Sequence, residues 1–296
     1  MQSSASHPFR PPQVNPRKRQ LASFLDRVGV LPALLRAQAR FVGRHLRCVN
    51  YHSVPPQWAD AFGRQLSWFR ERFVPVGPTE FSDACDGRWP HDRPGLLISF
   101  DDGCRTHAEV AAPLLEKHGF VGWFFVPSAF PGVPVADQWE FARQHAISAW
   151  SDGEPRVALT WDQVRSLDRH HVVGSHTLEH VRLAADVGEQ ELRRQIIGGK
   201  EQLESQLGHR VDTFAWVGGE EWSYSAPAAK LIVEAGFRAA FGTNHAPFAP
   251  GQDPLRIERT NVEASYEPSV LRFQLSVLPD LMYLPKRRRL RRALAV

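Results

Sequence analysis

Short apolar runs that alternate with helical patterns predict an α/β fold of about seven strand–helix units, the number that suits a (β/α) barrel. Length and composition agree with it. A chain of 296 residues fits one large domain, or at most two small ones, and 43% hydrophobic with 23% charged residues is the balance of a globular protein with a sizeable core. No apolar run reaches the roughly 18 residues that a membrane-spanning helix needs.

The seven expected strands are Leu46–Tyr51, Leu96–Phe100, Phe120–Val126, His171–Gly174, Thr213–Val217, Phe237–Gly242 and Arg256–Thr260. Helical periodicity fills most of the spaces between them. One helix is expected from Leu21 to about His45, and Phe62, Leu66, Phe69 and Phe73 share the apolar face of a second. Thr106–His118 should end at Gly119, and Thr160 with Gln163 forms a capping box that opens Trp161–Arg169. Glu189–Leu207 and Ala226–Ala235 complete the set. Residues 127–159 are too long for an ordinary strand-to-helix connection, which points to a functional rim or lid, with a peripheral insertion as the alternative.

The formal charge of +4 lies at the two ends of the sequence. Arg10, Arg17, Lys18 and Arg19 fall in residues 1–20, and Lys286, Arg287, Arg288, Arg289, Arg291 and Arg292 in residues 286–296, with no acidic residue in either stretch. Removing those ten from the 36 basic residues leaves 26 against 32 acidic ones, a net charge of −6 for the body. That argues against a nucleic-acid enzyme, whose positive stripe belongs on the folded surface. The expected organisation is a basic disordered arm (1–20), one domain (21–285, core 46–260) and a basic tail (286–296). The tail follows the apolar-rich stretch Val270–Leu284, a pattern suited to peripheral contact with an acidic membrane surface, although a solvated tail is the simpler reading. Cys48, Cys85 and Cys104 form neither a CxxC pair nor a disulfide framework, which favours a reducing compartment and a cytoplasmic location.

Two constellations carry chemistry. Ser99-Phe100-Asp101-Asp102-Gly103 follows the apolar run Leu96-Leu97-Ile98, and two adjacent carboxylates at the end of a buried strand call for a cation. Ser175-His176-Thr177-Leu178-Glu179-His180 follows Val172-Val173-Gly174 and holds two imidazoles four residues apart, within reach of one metal. An Asp-Asp-Gly surface turn and an unrelated pair among 13 histidines are the bland alternatives. Both constellations sit just past the C-terminal ends of expected strands, which share one face of a barrel. His52 and Trp216-Val217-Gly218-Gly219 fall on that face too. One carboxylate and two imidazoles leave a metal position open, and the second carboxylate is then free to accept a proton, so a hydrolase follows. The same six residues also spell H-x-x-E-H, the inverted zinc-peptidase signature, with Glu179 as its base. That reading needs a continuous helix and leaves the aspartate pair without a role.

With these motifs the chain resembles the polysaccharide deacetylases, the family-four carbohydrate esterases, from about Leu46 to Thr260. The resemblance implies a distorted seven-stranded barrel, a divalent metal (Zn2+ or another), and hydrolysis of an acetamide on an N-acetylated saccharide. It assigns Asp101 as base, and Asp102, His176 and His180 as metal ligands. Two departures are visible. Phe214-Ala215-Trp216-Val217-Gly218 lacks the arginine and proline of the family's third motif, and no histidine follows His245, so the late Leu-x-His is missing. Asn50-Tyr51-His52-Ser53-Val54 instead resembles the early Tyr-His motif of the poly-N-acetylglucosamine deacetylase branch, which makes His52 the expected acid. Arg259, or Arg256 as second choice, is expected to replace the missing arginine. Trp216, Val217, Gly218 and His245 are expected at the substrate or oxyanion side, and Trp222, Trp139 and Trp150 are aromatic candidates for sugar contact or core packing. Cys104 reads as a small buried residue. A related amidase or deformylase on a small or lipid-linked sugar, or a non-catalytic carbohydrate-binding relative, would share these residues.

Overall fold

The computed structural model describes residues 14–41, 44–150 and 153–294. Eight parallel strands run β1 (Leu46–Tyr51), β2 (Val74–Pro75), β3 (Gly95–Phe100), β4 (Gly122–Val126), β5 (Val172–Ser175), β6 (Thr213–Ala215), β7 (Ala239–Gly242) and β8 (Ile257–Asn261). β1 pairs with both β3 and β8, so seven strands close a ring in the order β1-β3-β4-β5-β6-β7-β8. β2 pairs only with the start of β3, at Gly95 and Leu96, below the point where β4 joins at Ile98. The expected seven-stranded barrel is therefore present, with ends shifted by one or two residues and β2 added. The expected strand Thr213–Val217 ends at Ala215.

Side chains alternate along a strand, and here the alternation separates two cores. Val49, Tyr51, Leu96, Ile98, Phe100, Phe124 and Phe214 point outward to the helices. Leu46, Cys48, Leu97, Phe125, Ala215, Phe241 and Ile257 fill the barrel. The surrounding helices are α1 (Pro16–Arg27), α2 (Val30–Phe41), α3 (Ala59–Arg72), α4 (Pro78–Cys85), α5 (Ala112–Lys117), α6 (Gln138–Gln144), α7 (Trp161–Asp168), α8 (Glu189–Arg193), α9 (Gly199–Leu207), α10 (Ala226–Glu234), α11 (Pro268–Leu275) and α12 (Val277–Ala293). Among these, α4 plugs the end of the barrel where the strands begin. Its Phe81 packs edge-on against Trp123 at 4.9 Å and stacks on Phe241 at 6.0 Å. Burying a ring of that size is worth roughly 1.5–3 kcal/mol.

The ends of the sequence differ from expectation. The single helix expected from Leu21 is two, broken at Gly29, whose φ of +78° is left-handed. Of the arm expected to be disordered, residues 16–20 are the first turns of α1, because Asn15 caps it through Arg17 N and Pro16 starts it. Arg19 pairs with Glu267, and Lys18 lies 5.7 Å from the Phe273 ring of α11; residues 1–13 lie outside the described part. The basic tail expected from 286 continues α12 to Ala293. Its cations are drawn inward: Lys286 donates to the Gly219 carbonyl, Arg287 to the carbonyls of Asn244 and His245, and Arg289 pairs with Glu221. No helix among the described residues is long and apolar enough to cross a membrane.

α12 is fastened to the barrel by an interior ion pair. Arg47, fully buried on the outer face of β1, donates to both oxygens of Asp280 at 2.7 Å. Asp280→Ala should leave that guanidinium buried without its counter-ion and cost about 3–5 kcal/mol in urea denaturation. Combining Arg47→Met with Asp280→Leu should recover most of the loss; no recovery would mean the pair is not what binds the helix.

Candidate active site

The inward columns of the strands run on past the barrel's upper rim. Leu97 and Ser99 lead to Asp101, Cys48 and Asn50 to His52, Gly174 to His176, and Ile257 and Arg259 to Asn261 and Glu263. The period-2 rule thus delivers these side chains to one mouth. They surround a pocket of about 390 Å³ at the C-terminal ends of the strands, whose lining includes His52, Asp101, Asp102, His176, His180 and Trp216.

Arg259 organises the floor. It is fully buried, and its Nη1 and Nη2 donate to Asp101 Oδ1 and Oδ2 at 2.7 and 2.9 Å. Nη1 also reaches Asn50 Oδ1 and Ser99 Oγ, Nε donates to the Gly242 carbonyl, and the guanidinium lies 5.2 Å from the Phe125 ring. Asn50 Nδ2 donates to Asp101 Oδ2 at 2.8 Å. Burial alone pushes the Asp101 carboxyl up, but the Arg259 guanidinium, with His176 and His52, holds it below the usual carboxylate range. The expected substitute for the missing third-motif arginine therefore touches Asp101. Arg256 is exposed beside Asp253 instead.

Asp102, His176 and His180 bring one ligand atom each to within 4.8 Å of one another, and all three are buried. His176 Nδ1 meets the Ala215 carbonyl at 2.9 Å and His180 Nδ1 the His145 carbonyl at 2.6 Å. A carbonyl can only accept, so both protons sit on Nδ1 and Nε2 is left for the site. Those Nε2 atoms lie 3.7 and 3.0 Å from Asp102 Oδ1. Burial pushes His176 down to about 4, so near neutral pH its Nε2 lone pair faces two carboxylates. Two acceptors facing each other are stabilised by a cation between them, and the donor set fits a divalent metal.

His52 is 23% exposed, and its Nδ1 stands 3.5 Å from the buried Glu263 carboxylate, an ion-pair distance rather than a good hydrogen bond. Burial pulls its pKa down, but Glu263, Asp102 and Asp101 together raise it to about 9. Glu263 carries no recognisable motif; its one sequence signal is an acid just past the last strand. The segment 127–159 also acts here. It has its own small core around Phe130, Ala142 and Ile147, against which Trp139 packs. Beyond α6 it supplies the His145 carbonyl to His180, and Ser148 N donates to Asp102 Oδ2 at 2.7 Å. These are backbone groups. Non-glycine residues with φ in the left-handed region, among those described, are Asp102, Ala146, Thr177, His180 and His245, all in or beside this mouth. Such strain costs of order 1–3 kcal/mol per residue and needs a rigid surround. Gly199 supplies part of it, since a Cβ there would stand 2.8 Å from Leu178 N.

Other expected residues fall elsewhere. His245 is absent from the pocket lining: its ring packs on Tyr283 at 4.5 Å, and burial with nearby cations lowers its pKa to about 3, so it is no proton donor near neutrality. Val217 is buried, whereas Gly218 and Trp216 line the pocket. Trp222 is 59% exposed beside Arg182. Glu179 is held by Arg194 and Gln195 outside the pocket, and residues 176–180 form turns rather than a helix, which removes the inverted-peptidase reading. Burial pushes the Cys104 thiol well above its ordinary value, so it is no nucleophile.

Residues 90–240, half of the chain, match the family model for polysaccharide deacetylase. Among curated protein sequences none matches this chain. Solved structures with a similar fold include a Streptococcus pyogenes deacetylase, PplD, in complex with acetate (16% identity, TM-score 0.62, covering 78% of this chain and 98% of that one). IcaB from Ammonifex degensii is 21% identical with a TM-score of 0.60, over 78% of this chain and 95% of that one. A de-N-acetylase from Aggregatibacter actinomycetemcomitans is 17% identical with a TM-score of 0.62, over 78% and 100%. The matched region contains the Asp101–Asp102 pair, His176 and His180, and this chain belongs to the polysaccharide deacetylase family, as a hydrolase that removes N-acetyl groups from saccharides.

Proposed function

We propose that the chain hydrolyses the acetamide of an N-acetylated amino sugar, as in the poly-N-acetylglucosamine-type branch, with Asp102, His176 and His180 holding a divalent cation. The observation that carries this reading is that both histidines are held through Nδ1 by carbonyls, so that their Nε2 atoms converge on Asp102 beside a separately held Asp101. Imidazole nitrogen with carboxylate oxygen suits zinc. Such a cation acidifies water and polarises a carbonyl, which makes a weakly basic carboxylate sufficient as proton acceptor.

Asp101 takes the proton of the attacking water. It is ionised at neutral pH, and Arg259 fixes its plane. His52 stands at the mouth with a proton to give, and it transfers that proton to the departing sugar nitrogen, leaving acetate and an amine. The backbone N–H of Gly218, at the pocket wall, donates to the developing oxyanion, with Trp216 against the sugar.

Acetate release from N-acetylated oligosaccharides by metal-depleted and zinc-restored protein tests this. Wild type should regain activity with zinc. Asp102→Asn should lose metal, whereas Asp101→Asn should keep it and lose about 10²–10⁴ in turnover. Equal metal loss in both variants would merge their roles, and no acetate from restored wild type would end the reading.

Glu263→Gln should lower the His52 pKa by roughly one unit or more, because an opposite charge at this range favours the protonated ring. The sign follows from a raised folded value: the proton is fully bound well below about pH 9 and lost as pH rises through it. NMR titration of metal-free protein reads the shift, and the alkaline limb of the rate profile should move the same way. An unmoved His52 titration would show that Glu263 is not its counter-ion.

A further inference from the structure

α12 lies outside the region matched by the family model, residues 90–240, yet Tyr283 and Lys286 of this helix line the catalytic pocket. The buried Arg47–Asp280 pair and the Arg287 bonds to the Asn244 and His245 carbonyls fix the helix there. Lys286 is therefore placed by the fold.

It has no salt-bridge partner among the described residues, and its Nζ lies 5.4 Å from the Tyr283 ring. Glu258, Glu221 and Glu220 are the carboxylates near enough to act on the Lys286 ammonium. Each is engaged elsewhere. Arg289 holds Glu221. Arg182 and the Gly219 N–H hold Glu220. Asn244 donates to Glu258 from its backbone and side chain, and burial pushes that carboxyl up toward its neutral form. Lys286 itself donates to the Gly219 carbonyl and makes no ion pair among the described residues. An ammonium has three protons to donate, so two remain for the pocket.

Arg182 lines the same pocket at the other end of this chain of bonds, Arg182 to Glu220 to Gly219 to Lys286. Two cations and one carboxylate thus edge the Gly219–Glu220 segment. A neutral sugar offers them hydroxyl groups; a charged acceptor forms the shorter and stronger bond.

We propose that the saccharide deacetylated here carries an anionic group, a phosphate or a carboxylate, beside the N-acetylated sugar, and that Lys286 is the specificity-determining cation that receives it. This rests on the deacetylase reading, so the test separates the two. Three N-acetylated oligosaccharides of equal length are compared: neutral, with one phosphate, and with one uronate on the neighbouring sugar. Equilibrium binding and acetate release are measured for zinc-loaded wild type, Lys286→Gln and Lys286→Arg.

Wild type should bind at least one anionic oligosaccharide about tenfold or more tighter than the neutral one at low salt, with the advantage shrinking as salt rises. The arm that shows the advantage identifies the group. Lys286→Gln should lose most of the ratio, and Lys286→Arg should keep it. Equal binding of all three by wild type would overturn the proposal. So would a Lys286→Gln variant that weakens neutral and anionic binding by the same factor, the mark of a residue that only braces Gly219. A binding preference without acetate release from any substrate would contradict the deacetylase reading and leave the charge recognition standing.

Discussion

The mouth of this barrel is organised by one buried ion pair, Arg259 with Asp101. A carboxylate that is 3% exposed and next to a second carboxylate would ordinarily take up a proton rather than stay charged. The two-pronged contact from β8 opposes that; Asn50 also donates to the carboxylate, and Asn50 Oδ1 and Ser99 Oγ accept from the guanidinium. Arg259 and Asp101 lie on the inward columns of β8 and β3, which both flank β1, so the pair forms when these two strands pair with β1 in register.

Elements outside the barrel lean on this arrangement. The segment after α6 reaches over the rim and uses two backbone groups, the His145 carbonyl and Ser148 N–H, to orient His180 and Asp102. α12 covers the other side through Arg47–Asp280 and brings Tyr283 and Lys286 to the pocket. Left-handed backbone at Asp102, Ala146, Thr177 and His180 is sustainable because these supports hold it from several directions.

What was legible in the sequence follows from how local its cause is. Strands and most helices announce themselves through periodicity, and Asp101, Asp102, His176 and His180 through their place just past strand ends. Arg259 was traceable because a missing third-motif arginine calls for a substitute. Glu263 was missed because a lone acid after a strand is a common thing. His145 and Ser148 act through main-chain atoms, which no side-chain pattern reports. α4 was missed because eight residues show too little periodicity, and β2 because two show none. Lys286 and its neighbours read as a tail because composition registers their charge and not the carbonyls that draw them in. His245 misled for the opposite reason: it follows a strand, but Tyr283 and Arg287 come from a helix that local reading could not place there.

We propose that Arg259 keeps Asp101 ionised as the base for deacetylation. The most direct measurement is the pH dependence of acetate release by zinc-loaded Arg259→Met and Arg259→Lys, with metal content determined alongside. Burial favours the protonated carboxyl once the guanidinium is gone, so the acid limb of the Arg259→Met profile should move to higher pH while zinc is retained, and Arg259→Lys should move less. An acid limb unchanged from wild type in Arg259→Met, with full metal and full rate, would contradict the account.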